Sequence, residues 1–194
     1  GTLNGWPDVP TWRIGDKYTY ETQFDVQDLI EQADIEASLN TLTGDTDYTV
    51  SDILFINIDG IQTLVYKMDV DGFFTSGPDG ATFPSGTFLG DVSGTLNIQY
   101  SGEDIIRVRD LAVVNSEFTI DVVFRPYNGN LGGLAPDQDI AEISFDTAYS
   151  PPKEKYDFPL HVGDQWYMEF DASTDVDGQS DYFDPSGFDT AGPE

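Results

Sequence analysis

Apolar and polar residues alternate along much of this chain, and a period of two is typical of β-strands that bury one face. The clearest case is a pair of apolar runs, 48–58 and 61–70, joined by Asp59-Gly60. This pattern predicts a hairpin, because both central residues of a type I′ turn need a positive φ. The side chains expected to meet on one face of the hairpin are Leu54, Ile56, Ile58, Leu64 and Tyr66.

A Gly-Asp turn followed by aromatic residues at alternate positions occurs twice, in 14–21 and in 162–169. Each copy predicts a tight turn that leads into a strand, the first of them at about residues 17–24. The two copies lie about one domain length apart. We therefore expect a β domain over residues 1–158. Residues 159–194 are expected to form a closing strand plus an acidic loop, or the start of a second repeat unit.

The other predicted strands are 95–100, 104–109, 112–124 and 140–147, separated by turn-rich segments at 41–47, 71–94 and 127–138. The run Tyr149 to Pro152 is expected to end the last of these strands. One short helix is predicted over 26–37, where apolar residues form a single stripe. The sequence therefore indicates a mainly β fold, either an antiparallel sandwich or a curled sheet, with one short helix near the N-terminus.

The charge balance narrows the classes of partner. Lys and Arg number 8 against 36 Asp and Glu, which gives a net charge of −28. Binding to nucleic acid is not expected, because phosphates need a cationic surface. With 39% hydrophobic residues, the chain can still form a packed core. An acidic coat of this kind suits a marine or halophilic environment, where salt screens the repulsion, or one rich in divalent cations.

Several chemistries are absent from the sequence. There is no cysteine, which excludes disulfides, thiol catalysis and cysteine-bound zinc. No run of 18 apolar residues occurs, so no transmembrane segment is expected. The single histidine, His161, stands where the first Gly-Asp copy has Arg13, and we interpret it as a surface residue flanking a strand. No nucleophile elbow or phosphate-binding loop is present.

The strongest metal candidate is the acidic segment 171–184. Oxygen-bearing residues and Gly178 follow the spacing of a calcium-binding EF-hand loop, with serine at the first position and aspartate at the last. The alternative is a solvated acidic linker. The proposed calcium ligands are Ser173, Asp175, Asp177, Gln179, Asp181 and Asp184.

Two short motifs resemble known surface proteins. The stretch 170–178, with Phe170-Asp171 and Asp177-Gly178, resembles the opening of a polycystic-kidney-disease-type β domain, although the later Trp-Asp-Phe-Gly-Asp-Gly motif of that family is absent. The Gly-Asp-x-Trp/Tyr strand starts resemble those of secreted, acidic archaeal cell-surface β domains. This resemblance implies an extracellular or cell-surface location and a protein or glycan of the cell surface as partner.

These observations favour a secreted or cell-surface domain with a non-catalytic structural or binding role. One alternative is a carrier that holds an apolar, lipid-like ligand in a curled sheet. Another is a hydrolase that uses Asp and Glu side chains. A contiguous apolar cavity favours the carrier. Two buried carboxylates about 5–9 Å apart favour the hydrolase, and a filled core favours the structural role.

Overall fold

The computed structural model describes residues 9–25, 38–83, 92–127, 137–155, 158, 165 and 167–180. Strands make up 75% of these residues. They are β1 (Lys17–Phe24), β2 (Ser38–Leu39), β3 (Leu42–Ile58), β4 (Ile61–Thr75), β5 (Ala81–Phe83), β6 (Val92–Arg107), β7 (Val113–Pro126), β8 (Gln138–Lys153) and β9 (Asp171–Ser180).

All nine strands belong to one antiparallel sheet, in the order β1-β3-β4-β6-β7-β8-β9, with β5 paired to β6 and β2 paired to β5. The prediction of a mainly β, antiparallel fold is confirmed. Within the described residues there is one open sheet and not the two packed sheets of a sandwich. These residues contain no helix, and the helix predicted over Val26–Ala37 lies outside them.

The Asp59-Gly60 hairpin is confirmed. Both residues have positive φ, 51° and 83°, as a type I′ turn requires. This two-residue turn fixes the register, so that Ile58 pairs with Ile61 and Leu54 pairs with Val65. The expected pairing of Leu54 and Ile56 with Leu64 and Tyr66 is therefore wrong, because a shift of one residue moves a side chain to the other face.

The two hairpin strands are longer than the sequence predicts. Residues 42–47 were expected to form a turn cluster, but they pair with β1 on one side and with β4 on the other. Likewise 71–75 extend β4, and a single strand, β6, replaces the two predicted at 95–100 and 104–109. Sheet neighbours supply the backbone hydrogen bonds that make these polar segments strands.

The first Gly-Asp turn has the predicted form. The Gly15 amide donates to the carbonyl of Val50 at 2.8 Å, and the Asp16 carboxylate accepts from the Arg13 amide at 2.8 Å. Strand β1 then begins at Lys17. In the second copy Gly163 and Asp164 lie outside the described residues, while 167–170 form no strand and the next strand starts only at Asp171.

Strand β8 continues through Pro151 and Pro152, so the break predicted there is wrong. The pairing with β7 is irregular at this point, since the register shifts between Val113 and Asn115. Proline is tolerated at such an irregularity because no regular ladder hydrogen bond is needed. The division of the chain at 158 and 159 stays a prediction; the described part of the second segment contributes β9 to the same sheet.

The two faces of the sheet differ sharply. The face that we call the cavity face carries most of the buried apolar residues. One core cluster on it contains Val50, Tyr66, Met68, Ile106, Leu111 and Val113. A second contains Ala81, Leu96, Phe124 and Ile140. The opposite face, which we call the outer face, is largely polar.

Glycine allows neighbouring strands to approach closely on the cavity face. A Cβ at Gly102 would clash with the carbonyl oxygen of Glu117 and with the ring of Phe118 on β7. The pairing of β6 with β7 also shifts between Ile105 and Ile106. Glycines and β-bulges allow a sheet to bend. Both features therefore favour curvature in this part of the sheet.

Carboxylates oppose one another across the outer face. In the strand register five of them are directly paired in succession, one on each of β4, β6, β7, β8 and β9. Adjacent strands are about 4.8 Å apart, and like charges directly opposite each other destabilise a sheet. We call this set the carboxylate row: Asp69, Glu103, Glu117, Asp146 and Asp175.

Polar neighbours offset part of the repulsion in the carboxylate row. Lys67 forms an ion pair with Glu103. Ser51 Oγ donates to Asp69 at 2.7 Å, and Asn115 Nδ2 donates to Asp146 at 2.8 Å. The central member, Glu117, is opposed by Glu103 on one side and by Asp146 on the other.

We expect the melting temperature to rise between low salt and about 1 M NaCl, where the Debye length falls to about 3 Å. Glu117→Gln should stabilise the protein at low salt by roughly 0.2–1 kcal/mol, and its advantage should shrink at high salt. Asp139→Asn makes the same charge change outside the row and serves as the control. A melting temperature that does not change with salt, or equal effects of the two variants, would contradict this account.

Candidate binding cavity

A cavity of about 1160 Å³ opens on the cavity face. It is walled by residues of β1, β3, β4, β6 and β7, together with residues before β1, between β6 and β7, and after β8. Three members of the first core cluster, Met68, Ile106 and Leu111, also border it. The remaining lining residues are Pro10, Trp12, Tyr18, Tyr20, Glu21, Thr22, Leu42, Thr46, Tyr48, Phe74, Ile98, Tyr100, Asp104, Ile120, Lys155 and Phe158.

The alternation of side chains explains how the sequence forms this wall. On β6 the residues Ile98, Tyr100, Asp104 and Ile106 point to one side, because side chains on a strand have a period of two. Gly102 occupies the position between Tyr100 and Asp104 and contributes no side chain there. The β6 part of the wall is therefore mainly apolar, with Asp104 as its one carboxylate.

Aromatic rings form one side of the cavity. Trp12 packs against Tyr18 and Tyr66, with ring centroids 5.8 and 5.1 Å apart. Its backbone amide donates to the Tyr66 hydroxyl at 3.1 Å. Tyr20 meets Tyr48 edge to face at 5.6 Å. These contacts fix the segment before β1 across the end of the cavity.

Tyr100 packs its ring against Phe118 at 5.2 Å and against Phe74 at 6.4 Å. Burial, together with the hydrogen-bonded hydroxyl of Tyr48 and the charge of Asp104, raises the pKa of Tyr100. Burial and the nearby Asp16 charge also raise the pKa of Tyr18. Both tyrosines are therefore neutral hydrogen-bonding groups at any physiological pH.

Few polar side chains border this cavity. Thr46 and Asp104 are buried, at 5% and 6% exposure. Asp104 accepts a hydrogen bond from Ser116 Oγ at 2.5 Å. Glu21 and Lys155 are exposed residues of the lining. An apolar cavity with a few placed polar groups is the usual form of a small-molecule site.

The predicted calcium residues lie elsewhere. Ser173, Asp175, Asp177 and Gln179 occupy alternate positions on β9, while Asp181 and Asp184 lie outside the described residues. The expected loop is wrong for this part, because β8 pairs with 171–180 over ten positions. Alternate residues of a strand are about 6.7 Å apart, so these oxygens do not converge as they would around a Gly178 turn.

Among the described residues, no group of three or more His, Asp or Glu side chains is placed to hold a metal ion. Calcium binding by the six residues stays a prediction. A second Asp-x-Asp-Gly sequence, residues 69–72, lies inside β4 and not in a turn. His161 is outside the described residues.

Sequence reasoning did not identify the cavity. Its signal was nevertheless present in β6, where Asp104 interrupts a series of alternating apolar residues, Ile98, Tyr100 and Ile106. A carboxylate on the apolar side of a predicted strand is uncommon in a purely structural core.

Comparisons with protein-family models, with curated proteins and with solved structures found no match for this chain. No helix in the described part of the chain is long and apolar enough to cross a membrane.

Proposed function

We propose that this protein is a non-catalytic binding domain that holds an apolar, lipid-like ligand against a curled β-sheet. The observation that carries the proposal is the cavity of about 1160 Å³. Small-molecule sites usually measure about 300–1,000 Å³, so this cavity has room for a ligand larger than a typical drug. Its lining is mainly aliphatic and aromatic, which suits a hydrocarbon body.

The physical driving force is the burial of apolar surface. Residues such as Tyr20, Ile98 and Ile120 line the cavity and are only partly buried. Removing apolar surface from water stabilises a complex by about 25 cal/mol per Å². A large apolar surface left open to solvent is uncommon in a purely structural domain.

The two other functions receive less support. A structural domain needs a filled core, whereas here part of the apolar face borders a cavity. A hydrolase of the kind considered needs two buried carboxylates, and in the described ranges Asp104 is the one Asp or Glu that is buried. The carrier therefore explains the geometry best.

The acidic outer face favours an extracellular or cell-surface location for this binding domain, in a salty medium that screens the charge. The net charge of −28 also argues against nucleic acid as the partner. A cell-surface protein or glycan remains the proposed macromolecular partner.

The test uses N-phenyl-1-naphthylamine, a neutral apolar fluorophore. The parent protein should bind it saturably. Ile98→Trp places a larger side chain on the cavity wall and should weaken binding about tenfold or more, equivalent to about 1.4 kcal/mol. Ile105→Trp makes the same change on the outer face of the same strand and should leave the affinity unchanged.

Circular dichroism melting curves establish that both variants are folded, and Ile120→Trp serves as a second cavity variant. Absence of saturable binding by the parent protein would reject the proposed function. The proposed function would also be rejected if the folded Ile98→Trp and Ile120→Trp variants bound the probe as tightly as the parent protein, because the probe would then bind outside the cavity.

A further inference from the structure

The carboxylate of Asp104 in the cavity lining is not needed to bind the apolar part of a ligand. Asp104 lies on the cavity face of β6, paired in register with Met68 on β4 and Ser116 on β7. It is 6% exposed and belongs to the cavity lining. Burial of an ionised carboxylate is costly unless the charge is paired or hydrogen-bonded.

Among the described residues, Asp104 accepts a single hydrogen bond, from Ser116 Oγ to its Oδ1. In the same part of the chain, no fully enclosed side-chain oxygen or nitrogen lacks a hydrogen-bond partner. The other oxygen, Oδ2, has no hydrogen-bond partner among these residues and therefore keeps some accessible surface. Since Asp104 lines the cavity, this oxygen borders it.

Nearby cations are engaged elsewhere. Arg107 pairs with Asp110 and Glu154, and Lys67 pairs with Glu103 on the outer face. The other charged residues in the lining are Glu21 and Lys155. None of the ion pairs formed by described residues includes Asp104.

We propose that the ligand is a cationic amphiphile whose protonated amine donates a hydrogen bond to Asp104 while its hydrocarbon body fills the cavity. This inference rests on the proposed function and specifies the head group of the ligand. A charge-assisted hydrogen bond of this kind is roughly twice as strong as a neutral one. It also neutralises the buried carboxylate, which lowers the cost of its burial.

The net charge of the whole protein also favours a cationic ligand. A net charge of −28 attracts a cationic amphiphile and repels a fatty acid. The hydroxyls of Tyr48 and Tyr100 add hydrogen-bonding groups to the same wall. An acidic head group would meet Asp104 and Glu21 and would have Lys155 as its one cation among the lining residues.

The test compares three probes with the same ten-carbon chain: decylamine, decanol and decanoic acid. Each displaces N-phenyl-1-naphthylamine from the parent protein at pH 7 in about 0.5 M NaCl, which screens the surface charge. Decylamine should bind at least about tenfold more tightly than decanoic acid. Asp104→Asn should remove most of the amine's advantage and change decanol affinity by less than about twofold.

Asp71→Asn on the outer face of β4 makes the same charge change outside the cavity lining and should alter none of the three affinities. A further probe, decyltrimethylammonium, has the positive charge but no N–H donor, and it should bind the parent protein more weakly than decylamine. This comparison needs no variant, so it tests the inference even when Asp104→Asn does not fold.

The outcomes separate the two proposals. Saturable decanol binding with equal affinities for decylamine, decyltrimethylammonium and decanoic acid would overturn the amine inference and leave the apolar cavity in place. Unchanged decylamine binding by a folded Asp104→Asn variant would also overturn it. Failure of every ten-carbon probe and of the fluorophore to bind would reject the proposed function itself.

Discussion

Tyr66→Ala should lower the free energy of unfolding by about 3–5 kcal/mol, the usual loss when a large buried aromatic side chain is deleted. Tyr66 is 1% exposed and lies within the first core cluster. Its ring packs against Trp12 at 5.1 Å, and its hydroxyl accepts a hydrogen bond from the Trp12 amide at 3.1 Å. The substitution thus creates a void and releases the segment before β1.

Urea denaturation at fixed salt measures this loss. Tyr66→Phe keeps the ring and removes only the hydroxyl, so it should cost about 1 kcal/mol. Phe55→Ala truncates an aromatic residue on β3 that is 66% exposed, and it should change stability by no more than about 0.5 kcal/mol. Similar losses for Tyr66→Ala and Phe55→Ala would show that this cluster is not a packed core.

The second large effect is expected from Gly102→Ala. The added Cβ would clash with the Glu117 carbonyl oxygen and the Phe118 ring, and the carbonyl belongs to the backbone of β7 and has little freedom to move. We expect a loss of about 1–3 kcal/mol or more, as for other overpacked sites. Gly102 lies on β6 between the lining residues Tyr100 and Asp104, so a displacement of β6 should weaken probe binding too.

Gly60→Ala provides the matched control for Gly102→Ala. No atom lies within 4 Å of the Cβ that it would add, but its φ of +83° is unfavourable for alanine, at a cost of about 1–2 kcal/mol. It should leave probe binding unchanged, since the hairpin turn is not part of the cavity lining. A Gly102→Ala variant with full probe affinity and parental stability would refute the close approach of β6 and β7.

The carrier function proposed for the cavity is not the function that the sequence favoured. A structural role was favoured first, because acidity and the Gly-Asp strand starts describe the surface of the molecule. The cavity on the other face instead supports the carrier, which the sequence had offered only as an alternative. The acidic outer face and the apolar cavity face are compatible, since alternate residues of the same strands form both.

Hydrophobic periodicity predicted parts of β1, β3, β4, β6, β7 and β8, but it predicted neither β2, β5 and β9 nor how far the longer strands extend. In β3 and β9 the residues on the outer face are mainly Asp, Ser, Thr and Gln, so the segments 42–47 and 171–180 have the composition of turns. They form strands because adjacent chains accept and donate their backbone hydrogen bonds. Whether such a polar segment forms a strand therefore depends on the strand beside it, and the local sequence does not contain that information.

The sequence predicted some of the residues and strands that form the candidate site, but not the site itself. Strand 104–109 was expected, and so was the apolar character of the residues around it. That Asp104 stands beside a cavity, with Ser116 as its hydrogen-bond donor, depends on the pairing of β6 with β7. The spacing of Asp175, Asp177 and Gly178 suggested a metal loop, because spacing alone does not distinguish a loop from an extended strand.

The sequence by itself determined the features that depend on neighbouring residues: the mainly β class, the Asp59-Gly60 turn and the start of β1 after Gly15-Asp16. These follow from side-chain alternation and turn chemistry, which act over a few residues. Only the tertiary structure decided the single open sheet, the length of its strands and the cavity with its buried carboxylate. Those features arise from backbone pairing and packing between residues far apart in the chain, and such interactions leave little trace in a local pattern.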